Sequence, residues 1–460
     1  MTRLIIAVTL VLLALAHSPS RAEPASQPTS QPVVKSDGRF IAYPDGVPDL
    51  RSPGFHKLIY EWTEDGAAKR IRFSLFLPHG YGTDDRRWPM LTFLAGLGDR
   101  GTDPGNAMAV GVPLEIGRSA ELGKWMPMIV LSPQCPGDKQ WYDPAMVRDV
   151  IRLIDALKIS LPVDPAKLYV TGFSDGGKGT WALVTAAPRL FAVAAPVVSR
   201  EYQADASAKI LAGSGTTCLV ISGLKDEKSE PASSRMVTAL RLKGVDTVYA
   251  PIPNGGHFIW RAFYSERRFY EWLLLHRRGD PRPKDRPDGD YFVGLYTSHQ
   301  QLSMSDQMFD YRMQRDLDKF EPYWFVDNCR ATNDAGLQAR RLDRTNVFVT
   351  FPTSSDIPCR LQTTRQLPKD KLTTLSVDAG HLPKSEWELV VRVNEQEQKR
   401  ILVNDKTAPD GWVTVTVSLQ SCAGAEARLQ LIQNATTDAK TPGCWDNLKL
   451  LESPLDPSAK

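Results

Sequence analysis

Leu168-Tyr169-Val170-Thr171-Gly172-Phe173-Ser174-Asp175-Gly176-Gly177 runs from an apolar, β-branched stretch into Gly-x-Ser-x-Gly, and residues 178–187 continue with helical character. Strand, sharp turn, helix is the order that lifts a serine out of the backbone on a strained corner. Such a corner needs small neighbours, and Gly172 and Gly176 flank the serine. A helix starting there directs its free N–H groups under the serine, where they favour negative charge. Glycine and serine are common, so the motif gains its weight from the strand before it and the helix after it.

Outward from this stretch, apolar strand runs alternate with helical patterns. Strands are expected at 57–63 and 70–77, joined by the turn Asp65-Gly66, and then at 90–94, 126–131, 168–171, 191–198, 218–222 and 248–252. Helices are expected at 145–157, near 234–243 and at 261–275; the first places Val147, Val150, Ile151, Ile154 and Leu157 on one face. Short continuous apolar strands with helices between them predict an α/β domain over 51–277, its parallel sheet covered by helices on both faces.

Residues 278–322 begin with a charged, proline-rich run of almost no apolar content and read as a linker carrying a polar helix at 303–319. From 323 to 453 the pattern changes to short alternating runs separated by turn signals, which predicts a C-terminal all-β, jelly-roll-like sandwich. At the other end, Arg3 followed by the apolar run 4–16 and small residues at Ser20 and Ala22 reads as an export signal over 1–22. Residues 23–50, rich in Pro, Ser, Gln and Ala, read as a disordered linker. A secreted or periplasmic protein is expected, with no membrane attachment once the signal is removed.

The chain has 460 residues, a net charge of +3 and 42% hydrophobic residues, enough for two domains with sizeable cores. No basic block points to nucleic acid. The six cysteines have no zinc-site spacing, so no metal or other cofactor is expected; in an exported protein they are able to pair, in a pattern the sequence leaves open.

A serine hydroxyl needs a base in reach, and the base needs an orienting carboxylate. On a sheet of this kind the chain order is serine, acid, histidine, each on a loop at the carboxyl end of the strands. Of seven histidines, only His257, in Pro253-Asn254-Gly255-Gly256-His257, follows the last strand at the right place. Asp226 follows the strand 218–222 and is the candidate acid, with Glu227 beside it as rival. Two backbone N–H groups are needed for the oxyanion. Asp175 supplies one, and Leu97, in the glycine-rich loop Ala95-Gly96-Leu97-Gly98, is the candidate for the other. Trp141 and Tyr142 are candidates to line a substrate pocket, although core packing is the more frequent role of such residues.

Taken together, Leu94–Gly101, Ser132-Pro133-Gln134-Cys135-Pro136, Leu168–Gly177, Gly179-Thr180-Trp181, residues 191–196 and Gly255-Gly256-His257 resemble the secreted α/β-hydrolase esterases. That group includes polyhydroxybutyrate depolymerases, feruloyl and acetyl-xylan esterases and the predicted peptidases near prolyl oligopeptidase. The resemblance covers about residues 70–275 and implies Ser174, Asp226 and His257 as a catalytic triad. It implies hydrolysis of a small-molecule or polysaccharide ester, with a serine peptidase or a non-catalytic glycan-binding surface protein as alternatives. Three positions depart from it: Ala95 stands for a histidine, Asp175 for a frequent methionine, and Lys178 for a frequent tyrosine. The Asp175 carboxylate is expected to point away from the oxyanion or to pair with Lys178 or Arg100. If the sandwich binds glycans, Trp412, Trp445 and Tyr323 are its candidate stacking residues; packing on the catalytic domain is the alternative.

Overall fold

A computed structural model describes residues 38–200, 202–297, 304–436 and 440–454. The expected export signal and residues 23–37 of the expected linker lie outside these. The remainder of that linker corrects the expectation of disorder. Residues Arg39–Ala42 form a strand, β1, paired antiparallel to β2 (Gly54–Glu64), with Phe40 packed against Tyr60 and Phe73. Two aromatic contacts give this polar-flanked segment an apolar anchor that its composition concealed.

β2 turns into β3 (Ala67–Leu77) through Asp65 and Gly66, both at positive φ (50° and 78°), the two-residue geometry that suits strand twist. Then follow β4 (Trp88–Leu94), helices α1 (Gly105–Met108), α2 (Gly111–Arg118) and α3 (Ala120–Trp125), and β5 (Ile129–Pro133). Next come α4 (Pro144–Ser160), β6 (Val163–Phe173), α5 (Asp175–Ala186), β7 (Val193–Val197) and α6 (Ala204–Leu211). The domain ends with β8 (Thr217–Gly223), α7 (Glu230–Leu242), β9 (Thr247–Ile252), α8 (Trp260–Tyr264), α9 (Arg267–Leu274) and α10 (Gly289–Thr297).

The strand order is β1-β2-β3-β5-β4-β6-β7-β8-β9, antiparallel through β3 and parallel from β5 onward. This is an α/β-hydrolase sheet. Both of its faces are dry, so side chains alternate between two cores. From β6, Leu168 and Val170 join the core under α4, α5 and α7, whereas Tyr169 and Phe173 join the core under α2, α8, α9 and α10.

The chain over 278–322 is more than a linker. α10 buries Phe292 and Leu295 against the hydrolase core, and α11 (Met304–Phe320) buries Met313 and Leu317 in the core of the second domain. The charged run that precedes α10 hid it from a composition reading. Beyond α11, ten strands form a sandwich: β10 (Phe325–Asp327), β11 (Gly336–Arg341), β12 (Arg344–Thr350), β13 (Cys359–Gln366), β14 (Lys371–Gly380), β15 (Trp387–Val393), β16 (Gln396–Val403), β17 (Trp412–Ser418), β18 (Glu426–Ala435) and β19 (Gly443–Pro454). They make two antiparallel sheets, β10-β13-β18-β15-β16 and β11-β12-β19-β14-β17. Trp387 and Trp445, both fully buried, pack at 5.1 Å in its centre.

The sandwich is fastened to the hydrolase domain by buried charges and one aromatic pair. Lys57 of β2 is ion-paired to Asp318 of α11 at 2.6 Å. Asp310 of α11 accepts from Arg118 of α2 (3.1 Å) and Arg261 of α8 (2.7 Å). Gln362 of β13 donates to the Arg118 carbonyl at 2.6 Å, and Phe325 of β10 packs on Phe55 at 5.4 Å.

Candidate active site

Ser174 sits between β6 and α5 with φ 57° and ψ −114°, a backbone conformation that a non-glycine residue adopts only when its surroundings impose it. The surroundings are the flanking glycines, and their role is close packing rather than φ freedom. A methyl group on Gly176 would stand 2.0 Å from the Leu94 carbonyl oxygen, and one on Gly172 would stand 2.5 Å from that of Gly176. The end of β4 therefore lies directly on the turn. The Ser174 N–H donates to the Val197 carbonyl at 3.0 Å, which ties the corner to β7.

Asp226 and His257 lie on the loops after β8 and β9. Gly255 and Gly256 are not among the glycines with positive φ, so the turn that faces His257 inward does not rest on left-handed backbone there. Gly223 makes the approach instead. A methyl there would fall 2.4 Å from the Gly255 oxygen and 2.5 Å from that of Gly256, and the Lys225 N–H donates to the Gly255 carbonyl at 2.8 Å. The two loops thus stack backbone on backbone.

This stacking sets three side chains in line. His257 Nε2 lies 2.9 Å from Ser174 Oγ, and His257 Nδ1 lies 2.5 Å from Asp226 Oδ2. Asp226 Oδ1 accepts from the backbone N–H groups of Lys228 and Ser229, each at 3.2 Å. Burial alone would raise the Asp226 carboxyl, but the hydrogen bonds from His257 and Ser229 outweigh it and hold the group below the usual carboxylate range. Among the described residues Glu227, the rival acid, makes no hydrogen bond or ion pair with His257, whose partners are Ser174, Asp226 and Ser229.

In the loop after β4, the Gly96 N–H is taken by Asp99 Oδ2 at 2.9 Å. The N–H groups of Leu97 and Asp175 have no partner among the described residues. For Asp175 this follows from its place as first residue of α5, since opening N–H groups have no intrahelical acceptor. Trp141 is fully buried, and its indole N–H donates to the Ala95 carbonyl at 2.8 Å; it braces this loop from within the core instead of lining a pocket. Tyr142 is half-buried under the Lys178 ammonium, which lies 3.6 Å from its ring centroid.

Lys178 is thus occupied by Tyr142, and Arg100 donates to the carbonyls of Leu97 and Lys139. The Asp175 carboxyl is buried, its Oδ2 without a hydrogen bond. Burial pushes it above the usual carboxylate range, with Lys178, Arg100 and Arg200 opposing the shift through space. Of the two alternatives, the ion pair with Lys178 or Arg100 is not formed, and a weakly solvated carboxyl stands beside Ser174.

Asp99, Gly223 and Ser229 also belong to the site's support and were not singled out in the sequence. Only Gly223 and Asp99 leave a trace there, as small or acidic residues at the carboxyl end of a strand. A cavity of about 680 Å³ lies at the joint between the domains, lined by Phe55, Phe76, Tyr323, Phe325, Arg365 and Arg428. It opens beside the start of β5, as the Phe76–Val130 register shows, at the opposite end of the sheet from Ser174. Of the candidate stacking residues, Trp445 is core, Trp412 lies under Arg344 at 4.2 Å, and Tyr323 lines this cavity.

No family model matches the chain, and no curated protein matches it. Among solved structures it is similar to a thermostable esterase, at 24% identity and TM-score 0.42 over 48% of this chain and 63% of that one. An acylaminoacyl peptidase from Pyrococcus horikoshii matches at 13% identity and TM-score 0.35, over 50% of this chain and 49% of that one. A mutant of the feruloyl esterase module from Clostridium thermocellum matches at 14% identity and TM-score 0.36, over 50% of this chain and 87% of that one. The chain therefore spans about half to two thirds of the first two proteins it matches.

Proposed function

We propose that the protein is an exported serine hydrolase that cleaves carboxylic esters through an acyl-enzyme. The observation that carries this reading is the continuous hydrogen-bonded line from Asp226 through His257 to Ser174. Ser174 Oγ attacks the ester carbonyl as His257 Nε2 takes its proton. Asp226 keeps the Nδ1–H of His257 directed at itself and stabilises the imidazolium that forms. The Leu97 and Asp175 N–H groups, with the amino end of α5 behind them, receive the oxyanion. His257 then returns the proton to the departing alcohol. It next activates a water that frees the acid and regenerates Ser174.

The alcohol side of the substrate is proposed to be a polysaccharide carrying acyl groups, with the sandwich holding the glycan near the enzyme. The apolar run at 4–16 supports export. Among the described residues no helix is long and apolar enough to cross a membrane. The test is hydrolysis of nitrophenyl esters of graded acyl length, of acylated xylan and of a peptide anilide, by the native protein and by Ser174→Ala. Ester turnover lost with the serine supports the reading. Serine-dependent cleavage of the anilide alone would make the protein a peptidase, and no serine-dependent turnover at all would remove the enzyme reading.

A further inference from the structure

Six thiols are free in the structure, and two of them, Cys329 and Cys359, share the sandwich core at one end of a strand ladder. The β10–β13 ladder pairs Phe325 with Gln362, Val326 with Leu361 and Asp327 with Arg360. The next step of that register sets Asn328 opposite Cys359. Asn328 instead turns at φ 54°, and the chain leaves the ladder so that Cys329 forms an isolated bridge with Pro352. The turn carries the Cys329 side chain inward. Cys359 is fully buried in the sandwich core, and Cys329, half-buried, packs against that same core.

Residues facing one another across an antiparallel ladder have α-carbons about 4.5–5.5 Å apart. A disulfide spans α-carbons about 4.4–6.8 Å apart, and Cys329 is the chain neighbour of Asn328, the position that the ladder register sets opposite Cys359. Burial raises the Cys359 thiol well above its ordinary range, and the neighbouring Cys329 thiol adds to the shift.

We propose that Cys329 and Cys359 are an oxidisable pair that closes to a disulfide on exchange with a disulfide donor such as oxidised glutathione. Cys329 is the entering group, because it is the less buried of the two. Its thiolate attacks one sulfur of the donor and displaces a glutathione thiolate. The Cys359 thiolate then attacks Cys329 Sγ in the mixed disulfide and displaces the second. Two protein thiols are oxidised, one donor disulfide is reduced, and the two thiol protons end on the two glutathiones. The bond ties the first residue of β13 to the segment leaving β10, the strand whose Phe325 seats the sandwich on Phe55. Closure therefore fastens two neighbouring segments of the sandwich to each other.

The experiment treats the folded full chain with oxidised glutathione, denatures it without reductant, alkylates the remaining thiols and maps the peptides by mass spectrometry. The expected result is one linked peptide pair holding Cys329 and Cys359, two hydrogens lighter than the sum of the free peptides, with the other four cysteines alkylated. Cys359→Ser should leave Cys329 trapped as its glutathione adduct, whereas Cys329→Ser should leave Cys359 unmodified while the protein stays folded. Recovery of both cysteines in alkylated form after oxidation of the native protein would overturn the proposal. So would a link from either one to a different cysteine.

Discussion

The carbonyl oxygen of Gly255 lies 2.4 Å from the point where a side chain on Gly223 would begin. This contact holds the loop carrying Asp226 against the loop carrying His257, and it has no room for a methyl group. Gly223→Ala should push the loops apart and lengthen the Asp226–His257 hydrogen bond. Misplacement by about 1 Å costs roughly 100-fold in rate, so kcat should fall by about that factor. Overpacking of this kind destabilises by about 1–3 kcal/mol, and a thermal melt measures that cost separately.

Asp226→Asn should fold normally and lose about 10⁴-fold in kcat, because the amide favours the wrong imidazole tautomer. The acid side of the stability curve should change with it. The folded Asp226 carboxyl is held below its unfolded value of about 3.9. Its contribution is thus complete above about pH 4 and is lost as pH falls through the folded value. Melting temperatures from pH 2 to 7 should show a shallower acid loss in Asp226→Asn than in the native protein.

Asp175 has the opposite sign. Its folded carboxyl is raised, so the group costs stability once pH climbs above the unfolded value of about 3.9, and the cost is complete above the folded value. Asp175→Asn should melt higher than the native protein at pH 7 and no higher at pH 3. Its backbone N–H remains, so ester turnover should be retained. A lower melting temperature at pH 7 would show that the carboxylate is stabilising.

Trp141→Phe keeps an aromatic ring in the core but removes the donor to the Ala95 carbonyl. Loss of one such bond costs about 1 kcal/mol. The loop bearing Leu97 should loosen, lowering kcat about 10-fold while KM changes little. An equal fall in kcat and rise in KM would place Trp141 in substrate binding instead.

Asp310 joins Arg118 of α2 to Arg261 of α8, four residues beyond His257, and Glu115 is buried 3.2 Å from the same arginine. Asp310→Ala leaves two partly buried guanidinium groups short of a carboxylate and should destabilise the protein by about 1–3 kcal/mol. Calorimetry should show the loss in the transition of the hydrolase domain.

The elbow, the order of acid and base, and most of the parallel sheet are legible in the sequence, since each depends on local pattern: β-branched runs, 3.6-residue periodicity and a strand-to-helix turn. β10 and β13 are not legible. One is only three residues long, and the other, Arg360-Leu361-Gln362-Thr363-Thr364-Arg365, is polar because its outer face meets the hydrolase domain. The same reason hides the bracing of Trp141 and the demand for glycine at 223. Both depend on contacts between segments distant in the chain. The burial of Asp175 is of this kind too: sequence showed an awkward carboxylate but not that Lys178 and Arg100, its candidate cations, are engaged elsewhere.

On the proposed mechanism Ser174 carries an acyl group during turnover. Rapid quenching of the native protein in acid during hydrolysis of a slow nitrophenyl ester, followed by peptide mass spectrometry, tests it directly. The expected result is an acylated peptide containing Ser174, lost in Ser174→Ala and strongly reduced in His257→Ala. Steady ester turnover by Ser174→Ala at the native rate, or an acyl group found only on another residue, would contradict it.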